Sequence, residues 1–322
     1  MDLESFLIFL ENGHWGFQYY FNPGFIAQRL MQQPLKLLIE GSNPSRPTRT
    51  VFGDVWTGTA MFYMKNIWAI GDLHGHYDQL LRLYDKILQN GFSPEDDILV
   101  FLGDYVDGGS QVKQIIDWLI EHKKKYPHWQ MLYGNHESLL LDALVYNGRI
   151  YGSYDLWWGQ GGRETTQSYI SFDLTDYERA LVGPKDAIPV EHLEFLMSLP
   201  YYYESENYFF VHAGIPNKMS LSDLKQKLDD RDEKMMYESI WIREPFLMNV
   251  KDWGRKIVFG HTIFPYGSFL GVDPETGKKT HKGGFPLIQK NKIGLDGMKH
   301  NMGNLICVKL PEEVFFFENS QI

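Results

Sequence analysis

Five short segments of the sequence carry side chains of the kinds that bind metal ions. In chain order they are Asp72-Leu73-His74-Gly75, Asp104-Tyr105-Val106-Asp107-Gly108, Asn135-His136-Glu137, His212-Ala213-Gly214 and Gly260-His261-Thr262. Carboxylate, imidazole and amide groups with no thiolate among them suit Mn, Fe or Zn. Residues two apart on a strand face the same side, so we expect Asp72 and His74 to bind the same ion. Together the segments predict a dinuclear metal centre.

Each segment taken alone also has a plainer interpretation. A single histidine at the end of a strand is usually a hydrogen-bonded structural residue, and an Asp-Gly pair is typical of an ordinary turn. Asn135 and Glu137 could belong to a helix cap. Packing, however, does not require acid, amide and imidazole groups at the ends of five apolar runs. We therefore interpret the segments as parts of one metal site.

The first three segments each follow an apolar run and precede an amphipathic stretch. The runs are Asn66–Ile70, Asp97–Leu102 and Trp129–Tyr133, and the stretches predict helices over Tyr77–Leu88, Gln111–Lys125 and Glu137–Tyr146. Strands that alternate with helices of this length favour βαβ units and a mostly parallel sheet. Ligands bind such sheets beyond the carboxyl ends of the strands, where we expect all three polar segments to lie.

The last third of the chain has a different pattern. Tyr208–Val211 and Lys256–Phe259 are strand-like, and they are followed by His212 and His261. Further β-type runs come after Gly284, at Lys292–Leu295, Asn304–Leu310 and Glu313–Phe317. Strands without helices between them predict a second sheet packed against the first, in an α/β protein.

The first part of the chain shows no catalytic pattern. Residues 1–64 are aromatic and irregular, with a short helix expected over Leu3–Leu10 and a turn or linker at Asn43-Pro44-Ser45-Arg46-Pro47. We interpret residues 1–64 as an N-terminal extension of unknown role. It is either a packing appendage or an over-long translated start, since Met61 and Met64 come just before the first strand. Residues 65–322 would form the catalytic domain.

Composition limits the classes of protein that this chain can represent. The 322 residues include 31 Lys and Arg against 41 Asp and Glu, a formal net charge of −10, without the basic face of a duplex nucleic-acid binder. Hydrophobic residues make up 43%, too many for a disordered chain, and one cysteine, Cys307, excludes an intramolecular disulfide. The acidic start is unlike a secretory signal, and no apolar run is long enough for a membrane-spanning helix. We therefore expect a cytoplasmic protein.

The five segments resemble the GDxHG, GDxVDRG, GNHE, HAG and GHT motifs of the calcineurin-like metallophosphoesterases, specifically of their phosphoprotein phosphatase branch. Trp158–Thr165 and Trp241-Ile242-Arg243-Glu244 resemble the bacterial Ser/Thr protein phosphatases and the diadenosine tetraphosphatase-like members. The resemblance extends from about Asn66 to Leu310. It implies a metallophosphoesterase fold, which is a four-layer α/β/β/α sandwich with two mixed β-sheets.

The resemblance also implies which residues hold the metal ions. One ion would be held by Asp72, His74 and Asp104. Asp104 would bridge to a second ion, held by Asn135, His212 and His261. Two such ions lower the pKa of a bridging water, and the resulting hydroxide attacks phosphorus in line. Mn is the expected ion, with Fe or Zn as alternatives.

Other residues would act on the substrate itself. By the same resemblance, His136 would protonate the leaving oxygen, and Asp107 would orient the His136 ring and favour its protonated form. Arg243, together with Asn135, would bind the substrate phosphate. Where the family usually has arginine after Val-Asp, this chain has Gly108, so one phosphate-binding side chain is missing. Arg163 is the candidate replacement, although it could equally be a solvated turn residue.

Three functions are compatible with the sequence. The first is a metal-dependent phosphomonoesterase resembling Ser/Thr protein phosphatases. The alternative is a symmetrical bis(5'-nucleosyl)-tetraphosphatase that cleaves diadenosine tetraphosphate, and a third is a catalytically silent metal-binding scaffold. A group of lysines bears on the choice, because it could form a rim that attracts a polyphosphate or could lie on a solvated hairpin. These are Lys278, Lys279, Lys282, Lys290, Lys292 and Lys299.

Overall fold

The computed structural model describes residues 66–145, 153–170, 187–299 and 302–319. The predictions for residues 1–64, including the short helix at Leu3–Leu10 and the boundary before residue 65, lie outside the described residues. They stay predictions.

Thirteen strands and nine α-helices are described. The strands β1 to β13 are Ile67–Ile70, Ile98–Phe101, Gln130–Met131, Tyr202–Glu204, Tyr208–Val211, Lys256–Phe259, Gly271–Asp273, Lys278–Thr280, Leu287–Ile288, Lys292–Gly294, Met298–Lys299, Met302–Leu310 and Val314–Asn319. The helices α1 to α9 are Tyr77–Gln89, Val112–Lys125, Asn135–Val145, Ser153–Trp157, Arg163–Tyr169, Val190–Met197, Leu221–Asp229, Glu233–Trp241 and Glu244–Leu247. A π-helical turn at Trp158–Gly162 joins α4 to α5.

The strands form two mixed sheets and a small hairpin of β7 and β8. The first sheet has the order β11-β12-β1-β2-β3, and β13 also pairs with β12. Within it β1, β2 and β3 are parallel, while β12 is antiparallel to β1 with Ile70 opposite Cys307. The second sheet has the order β4-β5-β6-β10-β9, with β5, β6 and β10 parallel. The predicted βαβ units are confirmed by this topology.

The prediction for the last third of the chain is partly wrong. Three runs after Gly284 were predicted to be strands. Only the first of them, observed as β10, joins the second sheet, whereas β12 and β13 extend the first. An apolar run indicates that a strand is buried, but it does not specify the neighbour that the strand pairs with. The stretch between β5 and β6 also contains the helices α7, α8 and α9, which the sequence pattern had not predicted.

Successive side chains of each strand point to opposite faces of its sheet and so pack against different layers. Ala69 and Val100 of the first sheet pack with Phe210 and Val258 of the second, so one apolar core lies between the sheets. On the outer face of the first sheet, residues such as Ile70 pack against α1 and α2. The outer face of the second sheet packs against α7 and α9. The expected α/β/β/α sandwich is confirmed. Among the described residues, no helix is both long and apolar enough to cross a membrane.

Candidate functional site

The five polar segments all follow strand ends. They come after β1, β2 and β3 of the first sheet and after β5 and β6 of the second, and within each sheet these strands run parallel. Backbone in the left-handed region recurs there, with φ of 40° at His74, 53° at Asp104, 68° at Asp107 and 62° at His261. Such residues cost of order 1–3 kcal/mol each and cluster at functional sites. Asp72 and His74 lie beyond the end of β1 at Ile70, so our argument from strand alternation is wrong for this pair.

Three histidines use one ring nitrogen to bond a backbone carbonyl. His74 Nδ1 lies 3.2 Å from Val106 O, His212 Nδ1 lies 2.7 Å from Leu102 O, and His261 Nε2 lies 3.2 Å from Trp241 O. Because a carbonyl oxygen only accepts hydrogen bonds, each of these nitrogens carries the proton. In the neutral form of each ring the other nitrogen presents a lone pair, which is the arrangement of a metal-binding histidine.

Those lone pairs converge on other acceptors. His212 Nε2 lies 2.9 Å from Asn135 Oδ1 and 3.4 Å from Asp104 Oδ1. His261 Nδ1 lies 2.7 Å from the same Asn135 oxygen, and His74 Nε2 lies 3.7 Å from Asp104 Oδ2. Two sets of side chains whose ligand atoms lie within 4.8 Å of one another share Asp104. They are His74, Asp104 and His136, and Asp104, His212 and His261. Acceptor atoms that face one another repel, and a cation between them would remove this repulsion. These residues therefore fit a divalent metal centre.

Asp72 supports the same fit from the other side. It is buried, and its Oδ2 accepts the backbone N–H of His261 at 2.9 Å. Its Oδ1 is also buried and receives no hydrogen bond from the described residues. Burial raises the pKa of the Asp72 carboxyl, and so do the neighbouring carboxylates of Asp296 and Asp104. A cation would relieve this concentration of negative charge.

Asp296 is a site residue that the sequence reasoning missed. It is buried beside Asp72, and burial and the Asp104 carboxylate raise its pKa to about 7, while its bond from the Met298 N–H acts in the opposite direction. A signal was present, because Asp296-Gly297 follows the apolar strand β10 just as Asp72 follows β1. Glu137 belongs to the third polar segment, but the sequence predicted no role for it. Its buried carboxylate accepts the backbone N–H groups of Asp104 and Tyr105 at 2.9 and 2.8 Å.

His136 and Asp107 form a buried acid pair. His136 Nδ1 lies 2.8 Å from Asp107 Oδ2, and His136 Nε2 lies 4.0 Å from Asp104 Oδ2. Burial alone would lower the pKa of His136, but the carboxylates of Asp104 and Asp107 raise it to about 9. In the metal-free protein these carboxylates therefore favour the imidazolium at neutral pH, with its second N–H on the side of Asp104. This ring can donate a proton at the metal centre.

The two arginines expected to bind phosphate lie in different surroundings. Arg243 is half-buried at the start of α9. The pKa of His261 is lowered by burial, by His212 and by the positive charge of Arg243. Arg163 is exposed at the first residue of α5. Gly108, at the position of the missing arginine, has a φ of 86°, and a Cβ there would lie 3.3 Å from His74 Cβ.

The lysines of the last third, for which a rim and a solvated hairpin were both open, do not share one environment. Lys278, Lys279, Lys282 and Lys290 are exposed, the first two on β8 of the hairpin. Lys292, by contrast, is fully buried, and its Nζ donates to the carbonyls of Phe246, Leu247 and Asn249 at 2.7, 3.1 and 2.7 Å. It caps α9 instead of meeting solvent, because every second residue of β10 faces the helical layer.

The geometry of this site has counterparts among known proteins. Residues 65–293 match the model of the family described as Calcineurin-like phosphoesterase. The chain belongs to this family. Its members use divalent metal ions to hydrolyse phosphate esters, which agrees with the acceptor-rich centre around Asp104 and identifies the chain as a metal-dependent phosphoesterase.

Several solved structures are similar to this phosphoesterase. A candidate diadenosine tetraphosphatase is 18% identical, over 81% of this chain and 96% of its own, with a TM-score of 0.49. A cold-active protein-tyrosine phosphatase from a psychrophilic Shewanella is 15% identical over 80% of each chain, with a TM-score of 0.46. A protein serine/threonine phosphatase from Saccharomyces cerevisiae is 18% identical over 80% of each chain, with a TM-score of 0.45. None of these similarities indicates a substrate for this phosphoesterase.

Proposed function

We propose that this phosphoesterase hydrolyses phosphomonoesters at a dinuclear metal centre, with the phosphoserine and phosphothreonine side chains of proteins as its substrate class. Asp72, His74 and Asp104 would hold one ion, and Asp104, Asn135, His212 and His261 the other. The donor set suits Mn, Fe or Zn, and Mn is the ion we expect from the family resemblance. When bound, the two ions would lower the pKa of a water between them and neutralise charge on the phosphoryl oxygens.

The pair of His136 and Asp107 is the observation that favours a phosphomonoester over a phosphoanhydride as the substrate. A serine or threonine side chain leaves phosphorus as a strongly basic alkoxide and needs a proton as the bond breaks. A nucleoside diphosphate leaves a phosphoanhydride as a weakly basic anion and needs a proton much less. His136, whose pKa is raised to about 9 and whose Nδ1 lies 2.8 Å from Asp107, supports the first kind of leaving group.

The phosphate itself would be bound by Arg243 and Asn135. The charge of Arg243 lowers the pKa of His261, which supports a position of the Arg243 guanidinium beside the second ion. Arg163 is exposed, so as a replacement for the missing arginine it would have to bind the substrate from the solvent side.

The test is a direct comparison of two substrates. Protein loaded with Mn is incubated with a phosphothreonine peptide, scored by released phosphate, and with diadenosine tetraphosphate, scored by ADP. Asp104→Asn protein, purified and loaded in the same way, is the blank.

We expect faster turnover of the peptide by the wild-type protein and none by the blank. Faster turnover of the dinucleotide would replace this proposal with a nucleotide hydrolase. Turnover of neither substrate by protein that binds Mn would support the silent scaffold.

A further inference from the structure

Asp107 is held by more than its histidine. The side chain is fully buried, and its Oδ1 accepts hydrogen bonds from Thr165 Oγ1 at 2.6 Å and from Trp157 Nε1 at 2.9 Å. Its Oδ2 bonds His136 Nδ1 at 2.8 Å. Three donors thus fix the orientation of the carboxylate, and only one of them belongs to the acid pair.

Thr165 bonds Asp107 twice. Besides donating to the carboxylate, its hydroxyl oxygen accepts the backbone N–H of Asp107 at 2.8 Å. Because a hydroxyl has one proton, accepting from the backbone N–H leaves that proton for the carboxylate. A single residue therefore bonds both the backbone and the side chain of Asp107. Asp107 has a φ of 68°, a backbone conformation that aspartate rarely adopts without such support.

Trp157–Thr165, which we call the clasp, packs against Asp107 and Gly108. Gly161 has a φ of 108°, and a Cβ on it would collide with the backbone nitrogen of Gly108. A Cβ on Gly162 would lie 2.5 Å from the ring of Trp157. The two glycines therefore allow the clasp to approach the acid pair closely while Trp157 stays buried.

Helix α5, which carries Thr165 of the clasp, is also attached to the helical layer. The backbone N–H of Lys113, on α2, donates to Ser168 Oγ at 3.2 Å. At the end of α5, the hydroxyl of Tyr169 bonds His192 Nδ1 at 2.9 Å, and His192 Nε2 lies 3.0 Å from Asp117 Oδ1 on α2. Thr165 thus lies on a helix with fixed neighbours, as a group that orients another side chain must.

We propose that Thr165 and Trp157 are positioning residues for proton donation: they fix Asp107 so that His136 keeps its second N–H directed at the leaving oxygen. This inference rests on the proposed function, in which His136 is the acid. Neither residue belongs to either group of metal-type ligands, so their effect on metal binding is expected to be small.

The test compares four variants with the wild type on two monoesters. Thr165→Val removes the hydroxyl at constant size, Thr165→Ser restores it, and Trp157→Phe removes the indole N–H. Thr166→Val is the matched control, because Thr166 is equally buried but its hydroxyl donates only to the backbone of Gly162, at 2.9 Å. The substrates are phosphothreonine peptide and 4-nitrophenyl phosphate, whose leaving group needs little protonation.

We expect Thr165→Val to lower kcat on the peptide by about 10- to 100-fold, a share of the whole effect of a general acid, and to lower kcat on the aryl phosphate much less. Trp157→Phe should act in the same direction, Thr165→Ser should recover most of the loss, and Thr166→Val should match the wild type. The Mn content of all variants should equal that of the wild type. An equal loss on both substrates would mean that Thr165 only stabilises the fold and would overturn the inference.

A second measurement does not depend on turnover. Proton NMR of the metal-free protein observes the ring N–H of His136 that bonds Asp107, which exchanges slowly only while the pair is held. We expect this resonance in the wild type, Thr165→Ser and Thr166→Val, and we expect exchange broadening in Thr165→Val. An unchanged resonance in Thr165→Val would overturn the inference even if the wild type hydrolyses both esters. A wild type that shows the resonance but hydrolyses neither ester would contradict the proposed function instead.

Discussion

The carboxylate of Glu137 accepts the backbone N–H of Asp104 at 2.9 Å. The same carboxylate accepts the N–H groups of Tyr105 at 2.8 Å and Gly134 at 2.9 Å. It therefore ties the turn after β2 to the turn after β3, and it does so at the residue that both groups of metal-type ligands share. Asp104 has a φ of 53°, so its backbone needs this support.

Replacing Glu137 with Gln should destabilise the protein and weaken metal binding. The new amide group would turn an N–H toward backbone N–H donors, leaving buried groups unpaired at about 1–3 kcal/mol. Chemical denaturation and calorimetric titration with Mn measure the two effects. Glu194→Gln, on the exposed face of α6, is the control. Equal behaviour of the two variants would mean that Glu137 does not support Asp104.

Replacing His136 with Asn should reduce the rate and leave metal content unchanged, because His136 lies beside Asp104 but is not one of the proposed metal ligands. Loss of a general acid typically costs about 10²–10⁴-fold on a substrate with an alkoxide leaving group. The loss should be much smaller on an aryl phosphate. Steady-state kinetics on a series of esters, with metal analysis of each sample, provides the measurement. An equal loss across the series counts against the acid role.

Gly108 is not a free position for a longer side chain. Its φ of 86° favours glycine, and an added Cβ would press on His74 Cβ at 3.3 Å. We expect Gly108→Ala to lower the free energy of unfolding by about 1–2 kcal/mol and also to reduce activity, because His74 must shift.

Gly91→Ala is the control for this effect, because Gly91 has a φ of 93° with nothing near its Cβ position. Gly91→Ala should lower the free energy of unfolding through its backbone conformation and leave activity unchanged. If both alanine variants keep full activity, the contact with His74 has no consequence for the site.

Lys292 should contribute to stability through α9. Lys292→Met leaves the carbonyls of Phe246, Leu247 and Asn249 without their donor, at an expected cost of about 1–3 kcal/mol. Lys290→Met removes an exposed lysine two residues away and should change little. Thermal or urea unfolding at pH 7 compares the two variants, and similar losses would refute the capping role.

The same lysine predicts a dependence of stability on pH. Burial lowers the pKa of Lys292 from 10.5 to about 8. Between these values the unfolded chain binds the proton and the folded chain does not, so the free energy of unfolding rises with pH. The wild type should therefore gain stability relative to Lys292→Met between about pH 8 and pH 10, at most about 1.4 kcal/mol per pH unit. A constant difference over this range would show that the pKa is not lowered.

The parts of the site that follow from short-range pattern were predictable. A strand, a polar turn and an amphipathic helix recur within about thirty residues, and this pattern correctly placed β1, β2 and the helices after them. The side chains that follow the strand ends meet because parallel strands share an edge. The convergence of Asp104 with His212 and His261, which follow strands of the second sheet, was implied by the family resemblance and not by this pattern.

Contacts between distant parts of the chain were not predictable in this way. Thr165 bonds a residue 58 positions earlier, and no pattern in the sequence of the clasp indicates which carboxylate it meets. The pairing of β12 with β1 and the burial of Lys292 likewise depend on how the layers pack. Aspartate and histidine adopt the left-handed backbone more often than most residues, but most of them do not, so residue type alone does not locate this backbone at His74 and Asp104.

The number of metal ions per chain tests the central claim most directly. Metal-free protein is loaded with Mn, freed of excess ion by gel filtration and measured by mass spectrometry of the metal, beside Asp104→Asn treated identically. Asp104 belongs to both groups of ligands, so we expect about two ions per wild-type chain and at most one in the variant. One ion or none per wild-type chain, or an unchanged count in Asp104→Asn, would contradict a dinuclear centre bridged by Asp104.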